Sequence, residues 1–167
     1  MQENLTQSDI DKMEAEIEYR KLTLRPKLIE DVKIARAHGD LSENFEYYAA
    51  KREKNANESR IRYLEKIIRT ANIIEDEADE NEIGLNTNVT VYLPEDDAEE
   101  HYRIVTTIRG NSLKGLISID SPLGKALLKH KVGDTVNVKV NDNYSYDVVI
   151  RAIDKAPDDS DDVIRKY

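Results

Sequence analysis

A chain of 167 residues can form one ordinary domain or two small ones. Trp is absent, Phe45 is the single phenylalanine and 35% of the residues are charged, which argues against one round core and for two slender units, one an elongated helical pair. The lack of cysteine excludes disulfides and thiolate zinc sites, and the net charge of −9 is split into −1 over residues 1–75 and −8 over residues 76–167, so any contact with nucleic acid phosphate falls to the first half.

The N-terminus, MQENLTQSD, is polar and acidic, without the character of a signal peptide. No apolar run approaches the roughly 20 residues that span a bilayer. The expectation is a cytoplasmic protein without a membrane partner.

From residue 8 the pattern is helical. Ser8 is a candidate N-cap, with Asp9 and Asp11 in the first turn. Ile10, Met13, Ile17, Leu24, Leu28, Val32 and Ala35 then recur at coiled-coil spacing. The spacing predicts helix over 8–37, with a kink where Pro26 interrupts it. His38-Gly39 is a stop signal. A second helix is predicted over 42–74, with a seam of Ala49, Ala56, Ile61, Leu64, Ile68, Ala71 and Ile74. Its middle is weak, because Lys54, Asn55 and Asn57 stand where a strong coiled coil is apolar. Two such helices joined by a short turn must lie antiparallel, each roughly 45 Å long at about 1.5 Å per residue.

Residues 75–86, EDEADENEIGLN, read as an acidic connector. The period then changes to alternation. VTVYL (89–93), HYRIVTTI (101–108), GLISID (115–120), TVNVKV (135–140) and YSYDVVIRAI (144–153) read as strands of a small antiparallel sheet. A short helix starting at Pro122 lies between the third and fourth. The end, with its PDDSDD run, reads as a frayed acidic tail. The fold class is α+β. The expected division is 1–76 hairpin, 77–86 acidic linker, 87–155 sheet domain and 156–167 flexible tail.

Three collinear stretches carry a resemblance: GDLSENFEYYAA at the turn, ESRIRYLEKIIRTANII on the second helix, and ISIDSPLGKALL followed by KVGD. Over roughly residues 8–153 the chain resembles the bacterial Gre transcript-cleavage factors, the GreA type in particular. The resemblance implies a transcription elongation factor; the free protein is expected to be a monomer. Its coiled coil enters the secondary channel of RNA polymerase, and its FKBP-like second domain grips the channel rim. It implies that the factor is not itself an enzyme. The tip brings carboxylates to the magnesium of a backtracked polymerase, which cleaves the nascent RNA at its 3′ end.

In that setting Asp40 and Glu43 are the candidate catalytic and Mg²⁺-holding residues, the ion being shared with the polymerase rather than stably bound. Magnesium prefers carboxylate oxygens, and two-metal phosphodiester hydrolysis gains from carboxylates that hold the second ion. The same Asp-x-x-Glu spacing is also a capping-box pattern, with Asp40 as N-cap and Glu43 three residues on, although Ser42 can cap instead. Residues 51–69 hold seven basic and three acidic residues. Lys51 and Arg52 are candidate RNA contacts, while Arg62 and Arg69 can equally form i,i+4 pairs with Glu58 and Glu65. Tyr47 matches the family motif and is a third candidate RNA contact. Phe45 stands where the family has Ala, and either stacks on a base or plugs the tip; the plugging role falls more naturally to Tyr48. Asp120, Ser121 and Pro122 lie on the family's polymerase-contacting loop, where ordinary turn chemistry is the competing account. Lys129-His130 replaces a Gly-Lys common in the family. The rival functions are a channel-binding regulator that inhibits without cleavage, and an adaptor or chaperone with no polymerase partner.

Overall fold

The computed structural model describes residues 2–39, 44–155 and 163–166. They divide into two compact units, Met1–Glu3 with Gln7–Asn72, and Asn4–Thr6 with Ile73–Tyr167.

The first unit is a helical hairpin. Helix α1 (Gln7–Tyr19) passes through a wide π turn at Arg20–Leu24 into α2 (Arg25–Arg36). The helix begins one residue before Ser8, which is therefore not its cap. The π turn is the form the expected kink takes. Pro26 has no N–H to return to the carbonyl of Leu22, and the chain widens so that the Arg25 N–H reaches the carbonyl of Arg20 instead. Gly39, at φ +115°, ends the α2 exit in a conformation that suits glycine. The return helix α3 (Phe45–Thr70) starts three residues later than expected and stops four residues earlier.

Ile10, Met13, Leu28 and Ala35 on one arm and Ile61, Leu64 and Ile67 on the other form the buried apolar seam. Ala49 and Ala56 are exposed, and Asn57 and Arg60 are buried in their stead. The weak middle of the hairpin is thus a polar layer. Arg20 donates from Nη1 to Asn57 Oδ1 at 2.9 Å, and Asn57 returns Nδ2 to the Arg20 carbonyl at 3.3 Å. Glu16 accepts from Arg20 and from Arg60, both at 2.8 Å. Arg25 grips Glu58 with two bonds of 2.7 and 2.9 Å, and Lys21 pairs with Glu65. Glu58 and Glu65 thus make their ion pairs between helices; Arg62 donates to Ser59 at 3.1 Å and acts on Glu58 through its charge alone.

The second unit is built on a five-stranded sheet. The short strands β1 (Asn4–Leu5) and β2 (Asn72–Ile73) precede it; within this unit Ile74 N–H donates to the Leu5 carbonyl at 2.8 Å. The sheet strands are β3 (Thr87–Leu93), β4 (Ala98–Val105), β5 (Leu116–Ser118), β6 (Thr135–Asn141) and β7 (Tyr144–Lys155), in the order β5-β4-β3-β7-β6. Helix α4 (Pro122–Leu127) packs on it. Alternation in the central strand sends Thr87, Val89 and Val91 into the core, where they meet Ile104, Leu127, Val136, Val138, Val148 and Ile150.

Three expectations are corrected in this unit. The sheet is mixed, since β5 pairs parallel to β4; short 3₁₀ turns at Thr107–Arg109 and Ser112–Lys114 carry the chain back in the same direction. The acidic connector is not a free linker, because Ile83 is fully buried and is bonded through its backbone to Lys129 and His130. Nor is the whole C-terminal stretch a loose tail: Ile164 is buried, and the Arg165 N–H donates to the Ile108 carbonyl at 2.9 Å. The PDDSDD run lies outside the described residues.

Candidate functional site at the hairpin tip

Asp40 and Glu43, the candidate acids, lie outside the described residues, as does Ser42. What the structure does describe is the frame on either side of them. Asn44 is the N-cap of α3, its Oδ1 accepting from the Tyr47 N–H at 3.0 Å. The cap expected from Asp40 or Ser42 is therefore filled by another residue. The same Asn44 side chain donates from Nδ2 to the carbonyl of Ala35, in the last turn of α2, at 2.6 Å. A second cross-link, His38 Nδ1 to Glu46 Oε2 at 3.0 Å, also joins the two arms.

The aromatic residues change roles relative to the sequence reading. Tyr47, expected to contact RNA, is only 9% exposed. Its ring lies under the Arg36 guanidinium at 5.5 Å and the Lys51 ammonium at 6.0 Å, and meets the Tyr48 ring edge-on at 5.4 Å. A hydrogen bond from Arg36 pulls the Tyr47 phenol below its usual range, burial opposes this, and the Lys51 charge adds to it. Tyr47 is thus the plug, and Tyr48, expected in that role, is 44% exposed. Phe45 stands outermost at 85% exposure. Lys51 and Arg52 are exposed along the first turns of α3.

The residues that sequence reading missed are Asn44, Arg36 and the His38–Glu46 pair. Asn44 has a readable signal, being a strong N-cap type four residues after Asp40. The other three meet only once the arms are folded together.

In the second unit the Asp120 loop is held by a relay of hydroxyls. Thr107 Oγ1 donates to Asp120 Oδ2 at 2.8 Å and lies 2.6 Å from Ser118 Oγ, which accepts from the Asp120 N–H at 3.0 Å. Because Thr107 has one proton to give, Ser118 must supply the bond between the two hydroxyls. Ser121 caps α4 by accepting from the Gly124 N–H at 3.0 Å, and Pro122 follows at the helix start, exposed. Asp120 is exposed despite its bond. A cavity of about 450 Å³ beside this loop is lined by Leu116, Ile117, Pro122, Leu123, Val140 and Tyr146, among others. Among the described residues, no group of three His, Cys, Asp or Glu side chains is placed to hold a metal, and no helix is long and apolar enough to cross a membrane.

Family models match both parts of the chain: the N-terminal model of the transcription elongation factors over residues 3–73, and the GreA/GreB C-terminal model over residues 78–155. The chain belongs to the GreA/GreB transcription elongation factors. The GreA of Bacillus subtilis is 47% identical over 129 residues, covering 77% of this chain and 82% of its own. The GreA of Macrococcus caseolyticus is 44% identical over 134 residues, 80% of this chain and 85% of its own. Among solved structures, GreA factor homolog 1 (Gfh1) of Thermus thermophilus is 27% identical, with 92% of this chain and 99% of that one covered and a TM-score of 0.42.

Proposed function

We propose that this elongation factor binds RNA polymerase, inserts its hairpin into the secondary channel, and stimulates Mg²⁺-dependent cleavage of the 3′ end of backtracked nascent RNA. The factor is not an enzyme by itself; it completes a site that belongs to the polymerase. The observation that carries this reading is the Asn44 cap. The main rival account of Asp40 made it the N-cap of α3, and Asn44 holds that position.

The two carboxylates are a donor set that fits magnesium, which takes hard oxygen ligands. When bound, the ion supplies Lewis-acid charge and a water of lowered pKa. Asp40 and Glu43 would hold it jointly with the polymerase. Lys51 and Arg52, exposed just behind the tip, balance the phosphates of the extruded RNA. Of the two roles open to Phe45, it takes base stacking rather than plugging, because its ring is exposed to a ligand. Asp120, Ser121 and Pro122 present the docking edge to the polymerase, with no ligand bound stably elsewhere. The free protein is a cytoplasmic monomer in this reading.

Single variants test the assignment. Asp40→Ala and Glu43→Ala each lose transcript cleavage while still competing with the parent protein for the polymerase. Asp120→Lys keeps the chemistry but needs a higher concentration to reach it. If both acid variants cleave as well as the parent, the tip is misassigned; slowed synthesis without any cleavage by the parent points to an inhibitory regulator.

A further inference from the structure

Two turns lie at the same end of the five-stranded sheet. Residues 94–97 join β3 to β4 and include Glu95, Asp96 and Asp97; residues 142–143 join β6 to β7. Strand β7 outruns β3 at this end. Its pairing with β3 stops at Val149, while its pairing with β6 continues to Tyr144. A cleft of about 80 Å³ opens between the first turn and the stretch of β7 that β3 does not cover, lined by Leu93, Glu95, Asp96, Tyr144, Tyr146 and Asp147. The two tyrosine rings are 5.9 Å apart and tilted by 35°, and Tyr144 is 53% exposed.

The chemistry of this cleft selects a flat organic cation. Among the described residues, Glu95 and Asp96 give their carboxylates to no hydrogen bond or ion pair, and Asp147 keeps one oxygen beyond the bond it accepts from Asn137 at 2.9 Å. No lysine or arginine lines the cleft among the described residues. Nor are three of their His, Cys, Asp or Glu side chains placed to hold a metal ion, so the acids suit a larger charge. The volume is two to three times the share of one water in the liquid, about 30 Å³, which fits a side-chain head group and not a whole metabolite. Ring faces beside carboxylates favour guanidinium, which stacks and bonds through a planar fork, over the compact ammonium of lysine. The same sheet uses this combination for an arginine of its own: Arg151 lies over the Tyr92 ring at 4.0 Å and donates to Glu99 at 3.0 Å.

We propose that the cleft between β7 and the 94–97 turn is a docking pocket for an arginine side chain of a partner protein, held by the Tyr144 and Tyr146 rings and by Glu95, Asp96 and Asp147. A protein segment fits better than a free small cation because Tyr146 also lines the cavity of about 450 Å³ beside the Asp120 loop. There Leu123 and Val140 give an apolar seat to a neighbouring residue of the same segment. The three carboxylates complement a basic partner and draw it in more strongly at low salt. Exposed charge pairs contribute little each, so the pocket selects a partner more than it anchors one. The inference does not depend on the cleavage reading.

Titration of the full chain, followed through its backbone amide resonances, tests the pocket. The probe is N-acetyl-leucyl-arginine amide, set beside its lysine and citrulline counterparts, guanidinium chloride and Mg²⁺. The arginine dipeptide is expected to shift the amides of Asp96, Tyr144, Tyr146 and Asp147 and to bind more tightly than the lysine dipeptide or guanidinium, while the uncharged citrulline dipeptide leaves them unmoved. Tyr144→Ala is expected to weaken the arginine dipeptide about 2- to 5-fold, and Glu95→Gln/Asp96→Asn about 2- to 10-fold. Tyr144→Phe, which keeps the ring, binds as the parent does. All three positions are exposed, and the rest of the spectrum reports that each variant keeps its fold. Equal binding of the arginine and citrulline dipeptides, or undiminished binding by Tyr144→Ala, overturns the pocket. Lysine binding as tightly as arginine overturns it as well, leaving a general acidic surface. Guanidinium matching the dipeptide overturns the protein partner, and displacement of the dipeptide by an equal concentration of Mg²⁺ would make the cleft a metal site instead.

Discussion

Residue by residue, the tip separates packing from display. Tyr47 is buried between two cations and Phe45 is open to solvent, though both are aromatic and two positions apart. Composition and motif could not tell them apart, since which of two neighbouring rings turns inward depends on the crossing of the arms. Tyr47→Ala is expected to destabilise the hairpin by about 3 kcal/mol, the range of a large side chain removed from a packed site. Phe45→Ala is expected to stay within about 0.5 kcal/mol. Thermal unfolding of the two variants checks the contrast, and equal losses contradict it. A second residue is instructive for the opposite reason. The replacement of a common Gly by Lys129 was visible in the sequence, but its meaning was not. Lys129 adopts φ +65°, a left-handed conformation that costs a side chain about 1–2 kcal/mol. Glycine also loses more entropy on folding, so Lys129→Gly is expected to stabilise the protein by about 0.5–1 kcal/mol in denaturant unfolding. Destabilisation would show that this turn is held by the Lys129 side chain.

Among the elements, both helices, most of the strands and the short helix at Pro122 were legible, because apolar period and capping chemistry are local signals. The parallel pairing of β5 was not. It depends on a return through two 3₁₀ turns that leave no periodic trace. The polar layer of the hairpin was legible as weakness only. Lys54, Asn55 and Asn57 break the seam, and nothing in the sequence says that Asn57 will find Arg20 or that Glu16 will serve two arginines. A layer of this kind specifies register at some expense in stability. Its pH dependence follows from Glu16. Burial pushes the carboxyl up, but the bonds from Arg60 and Arg20 outweigh burial and leave it below the ordinary value of 4.5. For a depressed carboxylate, the stabilisation is present above the unfolded value and is lost as pH falls through the folded one. Glu58 adds in the same direction through Arg25. Hairpin melting temperature should hold above pH 5 and fall on acidification below about 4.5, less steeply in Glu16→Gln. An unchanged slope in that variant would locate the effect elsewhere. In the second unit, α4 lies so close to the strand before it that a Cβ at Gly124 would meet the Ser118 carbonyl. Gly124→Ala is expected to cost about 2–3 kcal/mol and to disturb the Ser121–Pro122 edge.

For the whole molecule, the charge division is the feature that sequence displays most plainly. Nearly all of the net −9 lies beyond residue 75, while residues 51–69 of the hairpin are locally basic. A nearly neutral arm with a basic strip suits a path beside RNA, and an acidic body suits docking on a basic surface of another protein. Polymerase binding should therefore weaken as salt rises, through a slower association step. What the whole chain is proposed to do comes down to delivering two carboxylates to a site that is not its own. The measurement that tests this most directly is the length of labelled RNA in backtracked elongation complexes after addition of the protein with Mg²⁺. The account predicts prompt shortening from the 3′ end by the parent protein and none by Asp40→Ala/Glu43→Ala at a concentration where both occupy the polymerase. RNA of unchanged length with the parent bound, or equal shortening by the doubly substituted protein, would contradict it.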